Sequence, residues 1–484
     1  MTAVRLRHAL GGSGPAERGA GTASSHRLLR WRRTGDSLLR LPSVGPLVVT
    51  SLISSVGTAM AMLAATYLSF RHANSLVHTV MVATAYSLPA AFVGSWAGRL
   101  ADTRDHRKVV LVSDFIRMCI WIGVAVLDAV GWLNPWWLTV VAFIAGLVSA
   151  IQFPSWQKLE RRLVPPDRLQ EANALFSSAG SIAKLLGAVA GGVLITWVGS
   201  GWVFLLDALT YIPLMLMIRR IPDSPPTERP VQRERLRDAL RYARHEPTLR
   251  LSIRLVIILT VLAVPIANLL PAVAAEMGNE AHYLGLLTAF YGLGGSLVAA
   301  VLYRMTKHRA KAQLVSPALL ACGVSLVIIG IAGNLPRGEG RQIVVFALLV
   351  PIGLGLAMAQ AVLSATVQVS ASAEMEGQII ALYGAVVSLV APIGAFALAG
   401  IADATTVWLA VAIAGGGLTV VAIAMHLIRQ LELITAVTPQ RRDVAMAHSH
   451  HLGRHVTGFI DPGQFHPLTV RRRRGRSSRD VPSP

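Results

Sequence analysis

Long uncharged blocks dominate the pattern of polar and apolar positions along this chain. Residues 48–70 and 76–98 contain no Asp, Glu, Lys or Arg, and neither do residues 136–157 and 345–373. Each block is long enough to cross the hydrocarbon core of a bilayer as a helix, which takes about 20 residues. Lipid offers no partners for backbone N–H and C=O groups, so isolated apolar blocks cross it as helices. The pattern predicts an all-α polytopic membrane protein.

Charged residues interrupt the apolar pattern and set the number of helices. The stretches between these interruptions predict twelve membrane-spanning helices, of which the third is the least regular because it contains Asp114, Arg117 and Asp128. The predicted helices are residues 46–70, 76–98, 109–131, 136–157, 173–198, 202–220, 252–276, 283–304, 312–334, 343–370, 378–402 and 406–430.

Lys and Arg are concentrated in every second connection between the predicted helices. The basic connections are residues 99–108, 158–168, 219–254 and 304–311, and both ends of the chain are basic as well. Loops on the cytoplasmic side of a membrane carry an excess of Lys and Arg. The alternation therefore predicts that both termini are cytoplasmic and that the chain lies in the inner cell membrane.

The composition shows in which parts of the chain the charge lies. Apolar residues make up 53% of the 484 residues and charged residues 14%, against about a quarter in soluble proteins. The formal net charge of +20 belongs to the loops and to residues 1–43 and 431–484, which we expect to be disordered cytoplasmic tails. We expect anionic lipid headgroups to be the partner of these charges. The run Arg471–Arg474 would also suit a nucleic acid, a partner that we do not expect.

The sequence contains no recognised set of catalytic residues. It has neither a phosphate-cradling glycine loop nor an H-E-x-x-H pattern, so we predict neither an enzyme nor an ATP-driven pump, and no cofactor. The histidines of His448–His455 have no acid or cysteine beside them, and we expect no metal site there.

The chain repeats itself about halfway along. With Tyr86 aligned on Tyr291, an offset of about 205 residues, YSLPAAFVGSWAGRLADTRDHRK lies over YGLGGSLVAAVLYRMTKHRAKAQ without a gap. We therefore predict two six-helix halves, residues 44–220 and 251–430. In duplicated transporters of this kind the substrate site lies near the bilayer midplane, between the halves.

Residues 221–250 join the two predicted halves. Leu236, Leu240 and Ala243 fall on one face of a helix there, and basic and acidic residues cover the rest. The pattern predicts an amphipathic helix lying on the inner membrane surface.

The charged stretch GRLADTRDHRK, residues 98–108, is similar to the loop between helices 2 and 3 of the major facilitator superfamily. Four further stretches narrow the resemblance to its drug and siderophore exporters, the group of the enterobactin exporter and macrolide efflux pumps. They are LVPPDRLQEANAL (163–175), GAVAGGVLI (187–195), FLLDALTYIPL (204–214) and LRDALRYARHEPTLR (236–250). The resemblance covers residues 44–430 and implies the major facilitator fold, with two six-helix repeats that act by alternating access.

The resemblance also implies a gating role for the loop. In the family, the acid four residues after the glycine faces a helix N-terminus and a basic partner, and it holds the halves together on the cytoplasmic side. Asp102 occupies that position here, while Gly98 would let a neighbouring helix approach closely. In the second half Lys307 stands where the acid would be repeated. The residues to which we assign a gating or conformational role are Gly98, Arg99, Asp102, Arg104, Arg107, Lys108, Gly187, Gly191 and Gly192.

Four charged residues stand out inside the predicted helices, where charge is costly and marks function. Asp114 and Arg117 are three residues apart on one helix and form a predicted charge pair. Lys184 is about 16 Å into its helix, close to the midplane, and would either pack against the glycines of that helix or line a cavity. Asp207 is expected near the outer surface, where its carboxylate would reach the headgroups.

In this superfamily helices 1, 4, 7 and 10 line the substrate cavity. Gln360, Ser364 and Gln368 form one stripe on the tenth helix, although such residues also serve in hydrogen bonds between helices. Apart from Glu276, the last residue of the seventh, no carboxylate falls on these four helices, so the sequence assigns proton coupling to no named carboxylate; Lys184 would supply a protonation switch if it lines the cavity. The cavity candidates are Thr58, Gln152, Lys184, Asn268, Gln360, Ser364 and Gln368.

The sequence therefore predicts a secondary active transporter. We expect it to export a drug-like molecule, a siderophore or another small natural product by alternating access, as a monomer and a proton-coupled antiporter. An importer, or a membrane sensor of the same fold that transports nothing, would show the same pattern.

Overall fold

The computed structural model describes residues 38–41, 43–165, 168–222, 236–278, 281–305, 314–372 and 375–427. Within these residues the chain is almost entirely helical and forms no strand. Twelve of its helical segments are long and apolar enough to cross a membrane. The all-α class and the predicted number of spans are therefore confirmed. The predicted tail 431–484 and the position of Lys307 lie outside the described residues.

Six spans form the first half, and a short 3-10 turn at Leu38–Arg40 precedes them. Asp105 begins the third span by accepting the N–H of Arg107 at 3.0 Å, and Asn134 begins the fourth by accepting that of Trp137 at 3.0 Å. The spans are α1 (Val44–Ala73), α2 (Leu76–Thr103), α3 (His106–Ala129), α4 (Pro135–Leu163), α5 (Leu169–Val198) and α6 (Ser200–Arg219).

The second half begins with a helix too short to cross a membrane, and two of its six spans are broken. The helices are α7 (Leu236–His245), α8 (Pro247–Leu262), α9 (Ile266–Met277), α10 (Ala281–Ser296), α11 (Val298–Met305), α12 (Val315–Ala332), α13 (Glu339–Ser370), α14 (Glu376–Ala404) and α15 (Val407–Leu427). Helices α8 and α9 together form the seventh span, and α10 and α11 form the eighth.

The break in the seventh span corrects the continuous helix predicted at 252–276. Proline has no N–H to donate, and its ring clashes with the carbonyl four residues earlier in a helix. Pro265 therefore cannot donate to the Val261 carbonyl and displaces it. A Cβ built on Gly394 of α14 would collide with the Val261 carbonyl. A glycine at 394 therefore lets α14 lie directly against the broken span.

The internal repeat is visible in how the helices pack. In the first half α2 lies so close to α4 that a Cβ on Gly146 would collide with the Tyr86 carbonyl. In the second half a Cβ on Gly353 of α13 would collide with the Tyr291 carbonyl of α10. Tyr86 and Tyr291 are the residues that the sequence repeat aligns. The second and fourth spans of each half therefore make the same close backbone contact.

The two ends of the bundle carry different residues. Because consecutive spans run in opposite directions, every second connection lies at the same end. The end that carries Arg104, Lys158 and Arg219 is called the basic end below, and the end that carries Ser75, Arg337 and Asp403 is called the far end.

The halves contact each other toward the far end. Helix α2 packs against α14, and α5 packs against α10. The backbones of α5 and α10 meet at Gly192 and Gly285, where a Cβ added to Gly192 would lie 2.8 Å from the Cα of Gly285. Gly192 is close to the far-end terminus of α5, which is Val198. These contacts hold the halves together at the far end.

Helix α7, in the segment that joins the halves, packs against the second half. Its Ala239 and Ala243 are buried in a cluster with Val367 of α13 and Ile379 of α14. Leu240, which the sequence placed on the apolar face, is 41% exposed. The buried face is therefore turned by one position, because two alanines let α7 lie closer to its neighbours than leucine would.

Candidate functional site

A cavity of about 540 Å³ lies within the first half. Its apolar walls come from Leu52, Met62, Phe153, Trp156 and Phe176. Its lining also includes Asp114, which is about 12 Å into α3, and Glu160, which is close to the basic end of α4. The cavity therefore runs from the middle of the bundle toward the basic end.

A buried charged cluster forms the inner end of this cavity. The Asp114 side chain is fully buried, and its Oδ1 accepts a hydrogen bond from Gln152 Nε2 at 2.7 Å. The same oxygen lies 3.9 Å from Arg117 Nη1, which donates to Gln152 Oε1 at 3.1 Å. Gln152 thus bridges the acid and the guanidinium, which stabilises a charge pair that would otherwise be costly so far from water.

Thr58 and Tyr211 also contact the Arg117 guanidinium. Arg117 Nη2 donates to Thr58 Oγ1 at 3.2 Å, and its guanidinium carbon lies 4.9 Å from the centre of the Tyr211 ring. Thr58 and Tyr211 share a hydrogen bond of 3.1 Å, while the Thr58 hydroxyl also lies 3.1 Å from the Ser54 carbonyl. Arg117 thereby joins α1, α3, α4 and α6 at one point.

Asp207 lies in the interior of the first half, which corrects its predicted place near the surface. It is fully buried on α6 and faces Gly57 of α1, where a Cβ would come within 2.6 Å of its Oδ1. Its Oδ2 has no hydrogen-bond partner, and the hydroxyl of Thr210 is 3.4 Å from its Oδ1. The carboxyl lies inside because the missing side chain at Gly57 leaves room for it.

Lys184 lines the same cavity from α5, and its side chain is exposed there. Of the two roles that the sequence left open for Lys184, cavity lining is the one that this position favours. Thr58 and Gln152, two other cavity candidates, also belong to the lining.

The cavity candidates of the second half are not brought to this cavity. Asn268, on α9, and Gln360, Ser364 and Gln368, on α13, are absent from its described lining, which comes from the first half. Ser364 donates to the Ala361 carbonyl of its own helix at 3.1 Å. The predicted site between the halves therefore stays a prediction, and the cavity described here lies within one half.

Asp102 pairs with Lys158 of α4, so its ion-pair partner belongs to the same half. The expected bridge from Asp102 to the other half is not the contact made here. A Cβ built on Gly98 would meet no heavy atom within 4 Å, so the expected close approach of a helix at Gly98 is also not seen. The physical reason is that the halves meet toward the far end in this conformation, away from the Asp102 loop.

The basic residues of the same loop have different surroundings. Arg107 donates from Nη2 to the Arg219 carbonyl at 2.8 Å, at the C-terminus of α6, where a cation is favoured. Arg99, Arg104 and Lys108 have exposed side chains at the basic end.

The three predicted conformational glycines lie on two faces of α5. Gly187 and Gly191 face α1: a Cβ on Gly187 would lie 2.7 Å from the Val56 carbonyl, and one on Gly191 would lie 3.2 Å from the Cα of Met60. Gly192 faces Gly285 of the other half, as described above. Gly187 and Gly191 therefore fix the packing within the first half, and Gly192 permits the contact between halves.

Asp403 forms a polar contact between the halves at the far end that the sequence did not single out. Its carboxylate accepts hydrogen bonds from the Ser75 hydroxyl at 2.6 Å and from the N–H groups of Leu76 and Val77 at 2.8 and 3.2 Å. These groups form the N-terminus of α2, which favours a negative charge. Asp403, at the end of α14, thereby caps a helix of the opposite half.

Several residues of the cavity were missed by sequence reasoning. Tyr86 lines it and shares a hydrogen bond of 3.2 Å with Ser149 of α4, and Trp156 and Glu160 line it nearer the basic end. The family rule that points to helices 1, 4, 7 and 10 also left out Asp114 on the third helix. Its charge inside a span was the available signal.

The sequence of the chain matches that of a known family over most of its length. The transmembrane secretion effector family matches residues 39–449. The multidrug efflux pump Tap of Mycolicibacterium fortuitum is 22% identical over 408 residues, which cover 80% of this chain and 98% of that protein. Macrolide efflux protein A of Streptococcus pyogenes is 22% identical over 379 residues, which cover 77% of this chain and 88% of that one.

Solved structures share the fold. A crystal structure of the nucleoside transporter NupG superposes with a TM-score of 0.65 and 11% sequence identity, covering 79% of this chain and 98% of that chain. At this identity the likeness concerns the arrangement of the helices alone.

Proposed function

Because the chain belongs to the transmembrane secretion effector family of the major facilitator superfamily, and is thus a multi-pass membrane transporter, we propose that it exports amphipathic small molecules that carry an amine. The observation that carries the proposal is the cavity of the first half, in which aromatic walls lead to a buried cluster of Asp114, Arg117 and Gln152. The two relatives described above are named as efflux proteins, which supports the export of drug-like compounds.

The size and lining of the cavity support the substrate class. A volume of about 540 Å³ falls in the range of sites for drug-sized ligands. Phe153, Trp156 and Phe176 offer apolar and aromatic surface, and Glu160 offers negative charge to an ammonium group, since Asp114 is already paired with Arg117. A macrolide with an amino sugar has both features, in keeping with the name of one relative.

The basic loops support an orientation of the protein in the membrane. The excess of Lys and Arg in alternate connections favours a cytoplasmic basic end, and with it cytoplasmic termini in the inner membrane. The cavity extends toward that end, while Gly192, Gly285 and Asp403 hold the halves together at the far end. This conformation would take up its substrate from the cytoplasm.

Release outside the cell would require the alternate conformation, in which the halves meet at the basic end. Asp102 and Lys158 lie at that end and would be free to exchange partners across the halves. We assign gating to this pair and to the glycines of α5. A proton gradient would drive the cycle, with protons moving inward as substrate moves outward, and the monomer would be the working unit.

Everted membrane vesicles test the proposal, with ethidium and erythromycin as probes. Their basic end faces the buffer, so vesicles with an acidic interior should accumulate both compounds, and nigericin, which dissipates the pH gradient, should release them. Vesicles without the protein give the background. Accumulation confined to right-side-out vesicles would identify an importer, and binding without flux in either orientation would identify a sensor; both results would overturn the proposal.

A further inference from the structure

We infer that Asp207 is the carboxyl group that carries the exchanged proton. The inference rests on the proposed function, since it names the residue through which proton-coupled export would occur. It follows from the environment of this side chain, from the number of charges around it and from its connection to the cavity.

The environment of Asp207 offers little to a negative charge. The side chain is fully buried in the middle of α6, and its Oδ2 has no hydrogen-bond partner. The nearest donor recorded for its Oδ1 is the hydroxyl of Thr210 at 3.4 Å, and that hydroxyl lies closer to the Asp207 backbone carbonyl, at 2.6 Å. A buried carboxylate without strong donors is unfavourable, whereas a carboxylic acid is tolerated.

The pocket of Asp207 is built for a side chain of this size. Gly57 of α1 faces it, and a Cβ at that position would lie 2.6 Å from both Asp207 Oδ1 and Thr210 Oγ1. Because position 57 has no side chain, the Asp207 carboxyl fits between α1 and α6. A carboxyl that merely reached toward the headgroups would not need this room.

The charges around Asp207 balance only if one proton is bound among them. Arg117 of α3 and Tyr211 of α6 interact with Asp207, and Asp114 of α3 and Tyr86 of α2 interact with the same guanidinium. The guanidinium of Arg117 already donates to Gln152 and Thr58 and lies 3.9 Å from Asp114. Two acids thus share one guanidinium, and the cluster is neutral only when one of the acids is protonated.

Of the two acids, Asp207 is the one suited to hold that proton. Asp114 Oδ1 accepts a hydrogen bond from Gln152 and has Arg117 beside it, and both stabilise the ionised form. Asp207 has no comparable donor. A cationic substrate that enters the cavity supplies the missing positive charge, after which the O–H bond of Asp207 breaks and its proton passes to water in the cavity. One cation then replaces one proton, and the cluster stays neutral.

Thr58 connects Asp207 with the cavity. Its hydroxyl lines the cavity and lies 3.1 Å from the Ser54 carbonyl, and the preceding residue, Gly57, faces the Asp207 carboxyl. A hydroxyl has one proton to donate and two lone pairs that accept, so it relays a proton when it turns from one partner to the other. The buried acid is therefore within one side chain of the solvent that fills the cavity.

Proton release on ligand binding tests the inference. Ethidium carries a fixed positive charge and does not titrate near neutral pH, so a pH dye in weakly buffered detergent reports protons from the protein alone. The parent protein should release about one proton per ethidium bound, as reciprocal linkage requires. Asp207→Asn should bind ethidium more weakly than the parent, with an affinity that does not rise with pH, release no proton and lose the dependence of flux on a pH gradient, because an amide of the same shape cannot ionise. Ethidium exchange across its vesicles should persist.

Asp114→Asn is the matched control, because it changes the other acid of the same cluster. It should weaken ethidium binding about tenfold or more and move proton release to lower pH, because Asp207 is then the only acid beside Arg117 and ionises more readily. Proton release that is kept in Asp207→Asn and lost in Asp114→Asn would overturn the inference but leave the proposed export intact. A parent protein that neither binds nor moves ethidium or erythromycin would instead remove the proposed function, and the inference with it.

A second pair of variants keeps the test independent of the folding of Asp207→Asn. Gly57→Ala presses on the Asp207 carboxyl without altering any ionisable group, and Gly123→Ala adds the same methyl group where nothing lies within 4 Å. The pH midpoint of proton release should shift in Gly57→Ala and stay unchanged in Gly123→Ala. An unchanged midpoint in both variants would contradict the assignment of the proton to Asp207.

Discussion

The two halves of this protein share a scaffold but differ in what they enclose. In the first half the spans surround a cavity of about 540 Å³ whose inner end carries Asp114 and Arg117. In the second half, among the described residues, a cavity of only about 10 Å³ lies between α9, α12, α13 and α15, and its lining consists of aliphatic side chains such as Leu269, Leu326 and Leu349. The first half is thus hollow and charged in its interior, whereas the second half is packed there; a cavity of about 740 Å³ at its far end is lined by Glu276 and Asp403 together with Arg71 of the first half.

The comparison separates what keeps the fold from what performs the chemistry. Both halves retain the close contact of their second and fourth spans, at Gly146 with Tyr86 and at Gly353 with Tyr291. These contacts depend on the backbone and on the absence of a side chain, so they are insensitive to the polarity of the neighbouring residues. Polar residues were therefore free to collect in one half without disturbing the repeat.

Replacing Arg117 is expected to have the largest effect. Arg117→Met leaves Asp114 buried without its cation, which should cost about 3–5 kcal/mol of stability and abolish ethidium export. Thermal unfolding in detergent and vesicle flux measure the two effects. Arg337→Met is the control: this arginine of the second half is 75% exposed and pairs with Glu276, so its loss should cost less than about 1 kcal/mol.

Adding Asp114→Asn to Arg117→Met sharpens the same test. Removing both partners of a buried pair is less costly than removing one, so the double variant should recover part of the lost stability but none of the transport. An Arg117→Met protein as stable as the parent would mean that the cluster is not the charged centre of the first half.

Opening the far end is expected to have an intermediate effect. Asp403→Ala removes three hydrogen bonds at the N-terminus of α2, worth about 1 kcal/mol, and should shift the balance between the two conformations about fivefold. Spin labels on Arg71→Cys and Ala404→Cys, in a background with Cys119 and Cys322 replaced, would measure the distance between the halves.

Thr405→Ala is the matched control for Asp403→Ala. Its hydroxyl donates to the Ile401 carbonyl of its own helix at 2.6 Å and makes no bond to the other half among the contacts described here. It should leave the distance distribution as in the parent. Equal distributions in both variants and the parent would show that Asp403 does not bias the conformation.

The smallest effect is expected from polar residues of the second half. A Gln360→Ala, Ser364→Ala double variant should change ethidium flux less than about twofold, since neither side chain lines the cavity. Thr58→Val and Gln152→Ala, in the first half, should each lower flux about tenfold, because each removes a hydrogen bond from Arg117. A large loss in the second-half variant would return the site to the interface between the halves.

The number of spans could be predicted from the sequence because it depends on local composition. Uncharged blocks of about 20 residues have one stable form in a bilayer. The break at 263–265 was hidden within such a block, although Pro265 was a visible cause. Apolar windows measure how long a span is and do not register whether its hydrogen bonds are continuous.

The candidate site could be predicted only in part, because it depends on how the helices are rotated. The pairing of Asp114 with Arg117 follows from their spacing on one helix, and the structure has them 3.9 Å apart. The burial of Asp207 depends on which face of α6 meets Gly57 of α1, which no spacing reveals. The placement of the cavity within one half depends on the conformation, since the halves here meet toward the far end.

The unequal halves have a consequence for how the protein can evolve. If the compound meets side chains of the first half alone, selection by a new toxic compound should change residues on α1 to α6 that line the cavity. In the second half, substitutions would instead be limited by close helix contacts at residues such as Gly353 and Gly394. The first half would thus determine the range of transported compounds, while the second half would preserve the conformational change.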